Sequence, residues 1–212
     1  YLSVVSVPKS FAREGEMTGF YDGGRVAMVY TADHLDDARA VFIFRPRQRL
    51  DYDYRDVARQ KEHLRAMFTG MSDQVGSWLD ELERTPAFYF DAITQLEMAG
   101  WSRGRVTLVG DAGYCPGPAV GGSTSLAVYG AYVLADEMAR AGGDYAAAFA
   151  SYERAMMPAV VGSRSLARFN AKSIVPRSRW GVRALVATAQ VISTLPSGVT
   201  QSLARLTSTG AS

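Results

Sequence analysis

One stretch of the sequence, from Gly104 to Ala135, combines residue types that suit the binding of a polar ligand carrying a flat ring. Its apolar run, Val106 to Val109, predicts a buried parallel strand that ends at Gly110 and Asp111. A carboxylate in that place lies where α/β sheets bind ligands, and it accepts hydrogen bonds from sugar-like hydroxyls. We therefore expect Asp111 to bind a ligand, although a turn or helix cap is the simpler interpretation of a Gly-Asp pair taken alone.

The residues after Asp111 predict a stiff loop followed by a helix. Pro116 and Pro118 restrict the backbone, and Gly121 and Gly122 allow it to approach a ligand closely. The apolar run from Thr124 to Arg140 predicts a long helix, whose unpaired N–H groups and dipole stabilise negative charge at its first turn. An ordinary glycine-rich loop leading into a helix is the alternative, and the combination with Asp111 favours a binding site.

Together these residues resemble the second FAD-binding motif of the class A flavoprotein monooxygenases, the family of p-hydroxybenzoate hydroxylase and the tetracycline-modifying oxygenases. The resemblance implies that Gly110 and Asp111 match the family's Gly-Asp pair, whose carboxylate holds the ribityl chain of FAD. It also implies that Pro118 lies beside the isoalloxazine ring and that Gly121 is the first glycine before the helix. Gly122, next to Gly121, is included among the cofactor contacts.

The motif departs from the family pattern at three positions. Gly113 replaces the usual alanine, Tyr114 replaces a common histidine, and Ser123 stands where the second glycine before the helix is expected. The resemblance implies that Ser123 still lies at the flavin. Tyr114 is a candidate contact for flavin or substrate, with packing as the alternative.

The rest of the chain is predicted to form the C-terminal part of the p-hydroxybenzoate hydroxylase-like FAD/NAD(P)-binding fold, of α+β and α/β character. Residues 1–98 are expected to form a substrate-binding mixed or antiparallel sheet with helices, since they contain β-branched and aromatic runs separated by Asp22-Gly23-Gly24. Residues 99–158 contain the flavin-contacting strand, loop and helices, and residues 159–212 a C-terminal helical segment. Helices are also expected near residues 54–68, after Ser72, after Asp144 with an end or kink at Pro158, and after Trp180.

A strand predicted from Phe88 to Met98 supplies two candidate substrate contacts, Phe88 and Phe90. They alternate on one face, which lines either a substrate cavity or the core of the sheet. The alternation favours the core.

The family resemblance implies an FAD-dependent monooxygenase in which NADPH is the transient hydride donor and oxygen is transferred to an aromatic or polyketide-like small molecule. The chain contains no GxGxxG after a strand, so we expect an N-terminal FAD-binding segment supplied in cis or in trans. A non-catalytic binding or interaction module is one alternative, and a related flavin reductase or halogenase is another.

Composition excludes several other classes. The 23 basic and 21 acidic residues leave a formal charge of +2, which argues against nucleic acid as a partner. One cysteine and two histidines predict neither an intrachain disulfide nor a metal site, and they favour a reducing, cytoplasmic location. The apolar stretch from Val182 to Leu195 is interrupted by Arg183 and is too short to be a membrane span.

Overall fold

The computed structural model describes residues 1–117 and 123–194 of the chain. These residues form two compact units. The sheet unit comprises residues 1–92 and 173–194, and the loop–helix unit comprises residues 93–172. The first unit therefore ends before the segment boundary predicted at residue 98, and the helix that contains Pro158 crosses the boundary predicted there.

The sheet unit is built on a five-stranded antiparallel sheet with strand order β2-β3-β4-β1-β5. Its strands are β1 (Leu2–Val7), β2 (Met17–Asp22), β3 (Arg25–Tyr30), β4 (Ala38–Phe44) and β5 (Phe88–Asp91). The sequence-based prediction of a sheet is confirmed, and of the mixed and antiparallel alternatives the structure has the antiparallel one. The predicted Asp22-Gly23-Gly24 turn joins β2 to β3, and the Gly23 N–H donates to the Asp22 carboxylate at 2.8 Å.

Two helices, α1 (Val57–Phe68) and α2 (Asp73–Asp80), bury one face of this sheet. Phe42 in β4 packs edge-on against Phe68, with ring centroids 4.9 Å apart, and also contacts Trp78. Ser72 caps α2 as predicted, because its hydroxyl accepts a hydrogen bond from the Val75 N–H at 3.1 Å. The core of the unit is therefore an aromatic layer between sheet and helices.

The strand predicted from Phe88 to Met98 is shorter than expected. β5 ends at Asp91, which pairs with Leu2 at the start of β1, so the neighbouring strand offers no further backbone partner. Residues 92–98 leave the sheet, and Leu96 instead donates its N–H to the Cys115 carbonyl at 3.0 Å.

The loop–helix unit begins with a two-stranded antiparallel ribbon of β6 (Ser102–Arg103) and β7 (Val106–Thr107). The buried parallel strand predicted over Val106 to Val109 is wrong, because Val106 is 64% exposed and pairs in a hairpin. Gly104, with φ 59°, makes the tight turn between the two strands. Among the described residues, no neighbouring parallel strand lies beside this segment.

Three helices complete the loop–helix unit: α3 (Asp111–Tyr114), α4 (Ser123–Arg140) and α5 (Tyr145–Ile174). The helix predicted over 124–140 is confirmed. Asp144 caps α5 as expected, since its carboxylate accepts from the N–H groups of Ala146 and Ala147. Of the end or kink predicted at Pro158, the end is wrong: α5 continues to Ile174, since losing one backbone donor does not outweigh a buried stripe that includes Val160 and Ala167.

A last helix, α6 (Arg179–Thr194), belongs to the sheet unit and confirms the helix expected after Trp180. The Gly24 N–H donates to the Pro176 carbonyl at 2.8 Å, which ties the chain before α6 to the β2–β3 turn. None of the helices within the described ranges has the length and hydrophobicity that a membrane-spanning segment requires.

Candidate functional site

The Gly-Asp turn has a backbone geometry that requires glycine. Gly110 adopts φ 68° and ψ −141°, a conformation that side-chain-bearing residues rarely adopt. A Cβ atom placed on Gly110 would lie 3.0 Å from the Cβ of Ala127 in α4. The turn therefore lies so close to α4 that a side chain at position 110 would press against Ala127.

Asp111 follows this turn as the first residue of α3, and it is exposed. Within residues 1–117 and 123–194, no hydrogen-bond donor or cation contacts its carboxylate. The cap interpretation of this residue thus has no supporting contact among the described residues. A free carboxylate on a rigid turn is suited to accept hydrogen bonds from a ligand.

Tyr114 lies at the other end of α3 and is only 1% exposed. The Tyr152 hydroxyl donates to the Leu108 carbonyl at 3.1 Å, which uses its only hydrogen, so Tyr114 donates to the Tyr152 oxygen over 3.0 Å. Burial, followed by the hydrogen bond with Tyr114, raises the pKa of Tyr152 well above its ordinary value, so this phenol stays protonated at physiological pH. This placement favours packing over a contact with flavin or substrate for Tyr114.

The Tyr114 hydroxyl fits only because α4 has a glycine opposite it. A Cβ atom on Gly130 would lie 1.9 Å from the Tyr114 oxygen and 3.2 Å from the Met156 methyl group. Trp101 packs edge-on against Tyr114, with ring centroids 5.1 Å apart. The Tyr114 phenol thus packs α3, which begins at Asp111, against both α4 and α5.

Phe88 and Phe90 lie on the sheet face that packs against the helices. Phe90 is 8% exposed and contacts Tyr52, with ring centroids 5.2 Å apart, while Phe88 packs against the edge of the same core. These contacts correspond to the core alternative. Tyr89, between them, is 51% exposed on the opposite face, and the same alternation of side chains could have identified it as the accessible aromatic of β5.

The remaining predicted cofactor contacts lie at the start of α4. Ser123 is the first residue of this helix and is half-buried, as expected for a residue at the junction of loop and helix. Pro118, Gly121 and Gly122 lie outside the described residues. Beyond its first turn, α4 has an apolar face that is open to solvent, on which Val128, Tyr129 and Tyr132 are 50% to 68% exposed.

Known proteins similar in sequence to this chain include flavin-dependent monooxygenases. No protein-family model matches the chain. A flavin-dependent monooxygenase from an unknown prokaryotic organism is 36% identical over 160 residues, covering 76% of this chain and 41% of the relative. Another flavin-dependent monooxygenase, from Legionella longbeachae, is 38% identical over 152 residues, covering 72% of this chain and 39% of the relative.

A solved protein structure is also similar to this chain in its fold. The crystal structure of the tetracycline destructase Tet(55) superposes with a TM-score of 0.77 at 33% identity, covering 86% of this chain and 49% of the destructase. The chain thus spans about two fifths of the length of the curated relatives and about half of this solved structure.

Proposed function

Because the chain belongs to the class A FAD-dependent monooxygenases, we propose that it contributes the flavin-contacting loop of an enzyme that transfers oxygen to a small molecule. One observation carries the proposal. The Asp111 carboxylate is exposed on a turn whose backbone geometry requires glycine at position 110, and no donor among the described residues forms a hydrogen bond with it.

The described residues fit FAD. Asp111 would accept hydrogen bonds from the hydroxyls of the ribityl chain, and Ser123 with the first turn of α4 would face the ring. Pro118, Gly121 and Gly122 stay predicted contacts, which follow from the motif alone. When bound, FAD would supply the redox chemistry, with NADPH as the proposed hydride donor and oxygen as the co-substrate.

The chain's own residues contribute position and charge. The N-terminus of α4 carries partial positive charge, which stabilises negative charge on a group held there. The bonds from Tyr114 to Tyr152 and from Tyr152 to Leu108 fix the turn before the site, so that Asp111 needs little reorganisation when it accepts a ligand. The packed phenols also keep water out of the space behind the turn.

The proposed enzyme includes more chain than the described residues. We propose that an N-terminal FAD-binding segment, in cis or in trans, completes the p-hydroxybenzoate hydroxylase-like fold. The open apolar face of α4 supports this, because an exposed face of that kind is typical of a helix that packs against further protein. The coverage of the curated relatives, about two fifths, also agrees with it.

The substrate proposed is an aromatic or polyketide-like small molecule. The similar structure Tet(55) is named a tetracycline destructase, and tetracycline is a polycyclic compound, which supports a substrate of this kind. The sheet unit, residues 1–92 and 173–194, would contribute to the binding of this substrate. Tyr89 is the aromatic of β5 that has exposed surface for such a contact, whereas Phe88 and Phe90 pack towards the core.

The test is Asp111→Ala in the complete gene product that contains this chain. We expect lower FAD content after gel filtration, because each charge-assisted hydrogen bond lost removes about 1.5 to 3 kcal/mol. Visible absorbance of the flavin per protein gives the occupancy. Asp136→Ala is the matched control, since among the described residues Asp136 pairs with Arg140 alone, on the surface of α4. Normal flavin content in Asp111→Ala would refute the role, and a wild-type protein that binds no FAD would refute the function.

A further inference from the structure

The loop from Cys115 to Gly117, here called the proline loop, is held by a neighbouring segment that contains no recognised motif. The Leu96 N–H donates to the Cys115 carbonyl at 3.0 Å, and the Gln95 side-chain amide donates to the Pro116 carbonyl at 3.0 Å. Residues 115 to 117 lead directly into Pro118, the predicted neighbour of the flavin ring.

Close packing adds to these hydrogen bonds. Gly117 adopts φ 84°, and a Cβ atom there would lie 2.9 Å from the Thr94 carbonyl oxygen. The backbone of residues 94–96 therefore lies against the whole proline loop. Neither segment could shift without breaking a hydrogen bond or opening this contact.

Gln95 connects the proline loop to α5. Its amide nitrogen also donates to the Arg164 carbonyl at 2.9 Å, and its amide oxygen accepts from Arg168 Nε at 3.0 Å. Both hydrogens and the oxygen of this amide are thus used, which fixes its orientation. The Gln95 side chain thus links the Pro116 carbonyl of the proline loop to α5, which begins far later in the sequence.

The same helix also holds the segment through the side chain of Arg164. Arg164 is 8% exposed, and its guanidinium donates to the Leu96 carbonyl at 2.6 Å. Within residues 1–117 and 123–194, no carboxylate pairs with this arginine. Burying a guanidinium against a backbone carbonyl is costly, so this contact points to a need for a fixed backbone at residues 95 and 96.

We propose that Gln95 is a positioning residue for the flavin, acting through the proline loop rather than by touching the cofactor. This rests on the proposed function, in which Pro118 lies beside the ring. Through its bonds to Pro116 and Arg164, Gln95 sets where the loop enters the site, and α5 supplies the rigid support.

The first experiment needs no flavin and uses hydrogen exchange of the complete gene product without FAD. Gln95→Met keeps the side-chain length but removes the amide, so the loop loses one of its two hydrogen bonds. We expect the peptide containing Leu96, whose N–H binds Cys115, to exchange at least about fivefold faster, the factor for losing one ordinary hydrogen bond. Gln60→Met is the matched control, because Gln60 also donates to a backbone carbonyl, that of Tyr54, but lies in the sheet unit. Unchanged exchange at Leu96 would overturn the proposal.

The second experiment tests the link to the cofactor. We expect the visible circular dichroism of FAD bound to Gln95→Met to differ from wild type, and the Gln60→Met spectrum to match it. Loss of thermal stability with an unchanged flavin spectrum in both variants would reduce Gln95 to a structural residue and overturn the proposal. If Gln95→Met does not fold, Gln95→Glu keeps the shape and the acceptor for Arg168 but removes the donors, and the same two readouts apply. Failure of the wild-type protein to bind FAD would sink the proposed function, and the exchange result would still decide the loop contact.

Discussion

The two units are held together by different means. In the sheet unit, large side chains fill the space between sheet and helices, and a Cβ on Gly76 of α2 would have no atom within 4 Å beyond its chain neighbours and its own helix backbone. In the loop–helix unit, Gly110, Gly117 and Gly130 each stand where a Cβ would meet another atom at 3.0 Å or less. The sheet-and-helix core of the sheet unit is therefore stabilised by side chains that are present, and the close approach in this unit lies outside that core, at Gly181, where a Cβ would lie 2.9 Å from the Cβ of Pro176. The packing of the loop–helix unit around its Gly-Asp turn, in contrast, depends on side chains that are absent. Replacing glycine by alanine should therefore change the free energy of unfolding differently in the two units.

The largest effect should come from adding one methyl group to α4. Gly130→Ala places a Cβ 1.9 Å from the Tyr114 oxygen, so the phenol must leave its site and give up its bond to Tyr152. We expect a loss of about 3 kcal/mol in unfolding free energy, the upper end of overpacking costs. Urea denaturation followed by circular dichroism measures it.

The same substitution in the sheet unit should have the opposite sign. Gly76→Ala adds its methyl group in open space on a helix, so we expect a gain of up to about 1 kcal/mol from helix propensity. If both variants lose similar stability, the contrast between the units is wrong.

A smaller loss is expected from removing one buried hydroxyl. Tyr152→Phe leaves the Leu108 carbonyl and the Tyr114 hydroxyl without this partner, which should cost about 1 to 2 kcal/mol. Tyr132→Phe is the control, because Tyr132 is 68% exposed on α4 and should change stability by less than about 0.5 kcal/mol. Thermal unfolding of both variants at neutral pH gives the comparison, and equal shifts would argue against a structural role for the paired phenols.

The smallest effect concerns the β2–β3 turn of the sheet unit and depends on pH. The Gly23 N–H and then Arg25 hold the pKa of Asp22 below its ordinary value. Its contribution is therefore complete above the unfolded pKa of about 3.9 and is lost as the pH falls through the lowered folded value. We expect Asp22→Asn to cost no more than about 1 kcal/mol at pH 7, with the difference from wild type vanishing in strong acid. A difference in melting temperature that stays constant with pH would contradict this assignment.

The sequence predicts the secondary structure of the sheet unit better than that of the loop–helix unit, and the reason is physical. Alternating side chains identify strands, and Ser72 identifies the start of α2, because these signals are local. The Gly-Asp turn and the start of α4 at Ser123 were also predictable, as a motif keeps its spacing.

The errors occur where hydrogen-bond partners or buried contacts decide the outcome against the local residue pattern. The apolar run at Val106 predicts a parallel strand, but its hydrogen-bond partner is the preceding ribbon strand. Pro158 predicts an end or a kink, but the helix does not end there, because buried contacts along α5 stabilise its continuation. Gln95 has no signal at all in the sequence, since its partners Pro116 and Arg164 lie 21 and 69 residues away.

The continuity of α5 limits how far the protein can be shortened. The helix runs from Tyr145 to Ile174. Its second half contains no recognised motif, so motifs alone would suggest that the chain can be truncated after Pro158. Such a truncation would keep every residue of the Gly-Asp turn and of α4 yet remove Arg164 and Arg168, and with them the support for Gln95. A fragment that keeps the support for Gln95 must therefore extend at least to Arg168, beyond the last residue of the recognised motif.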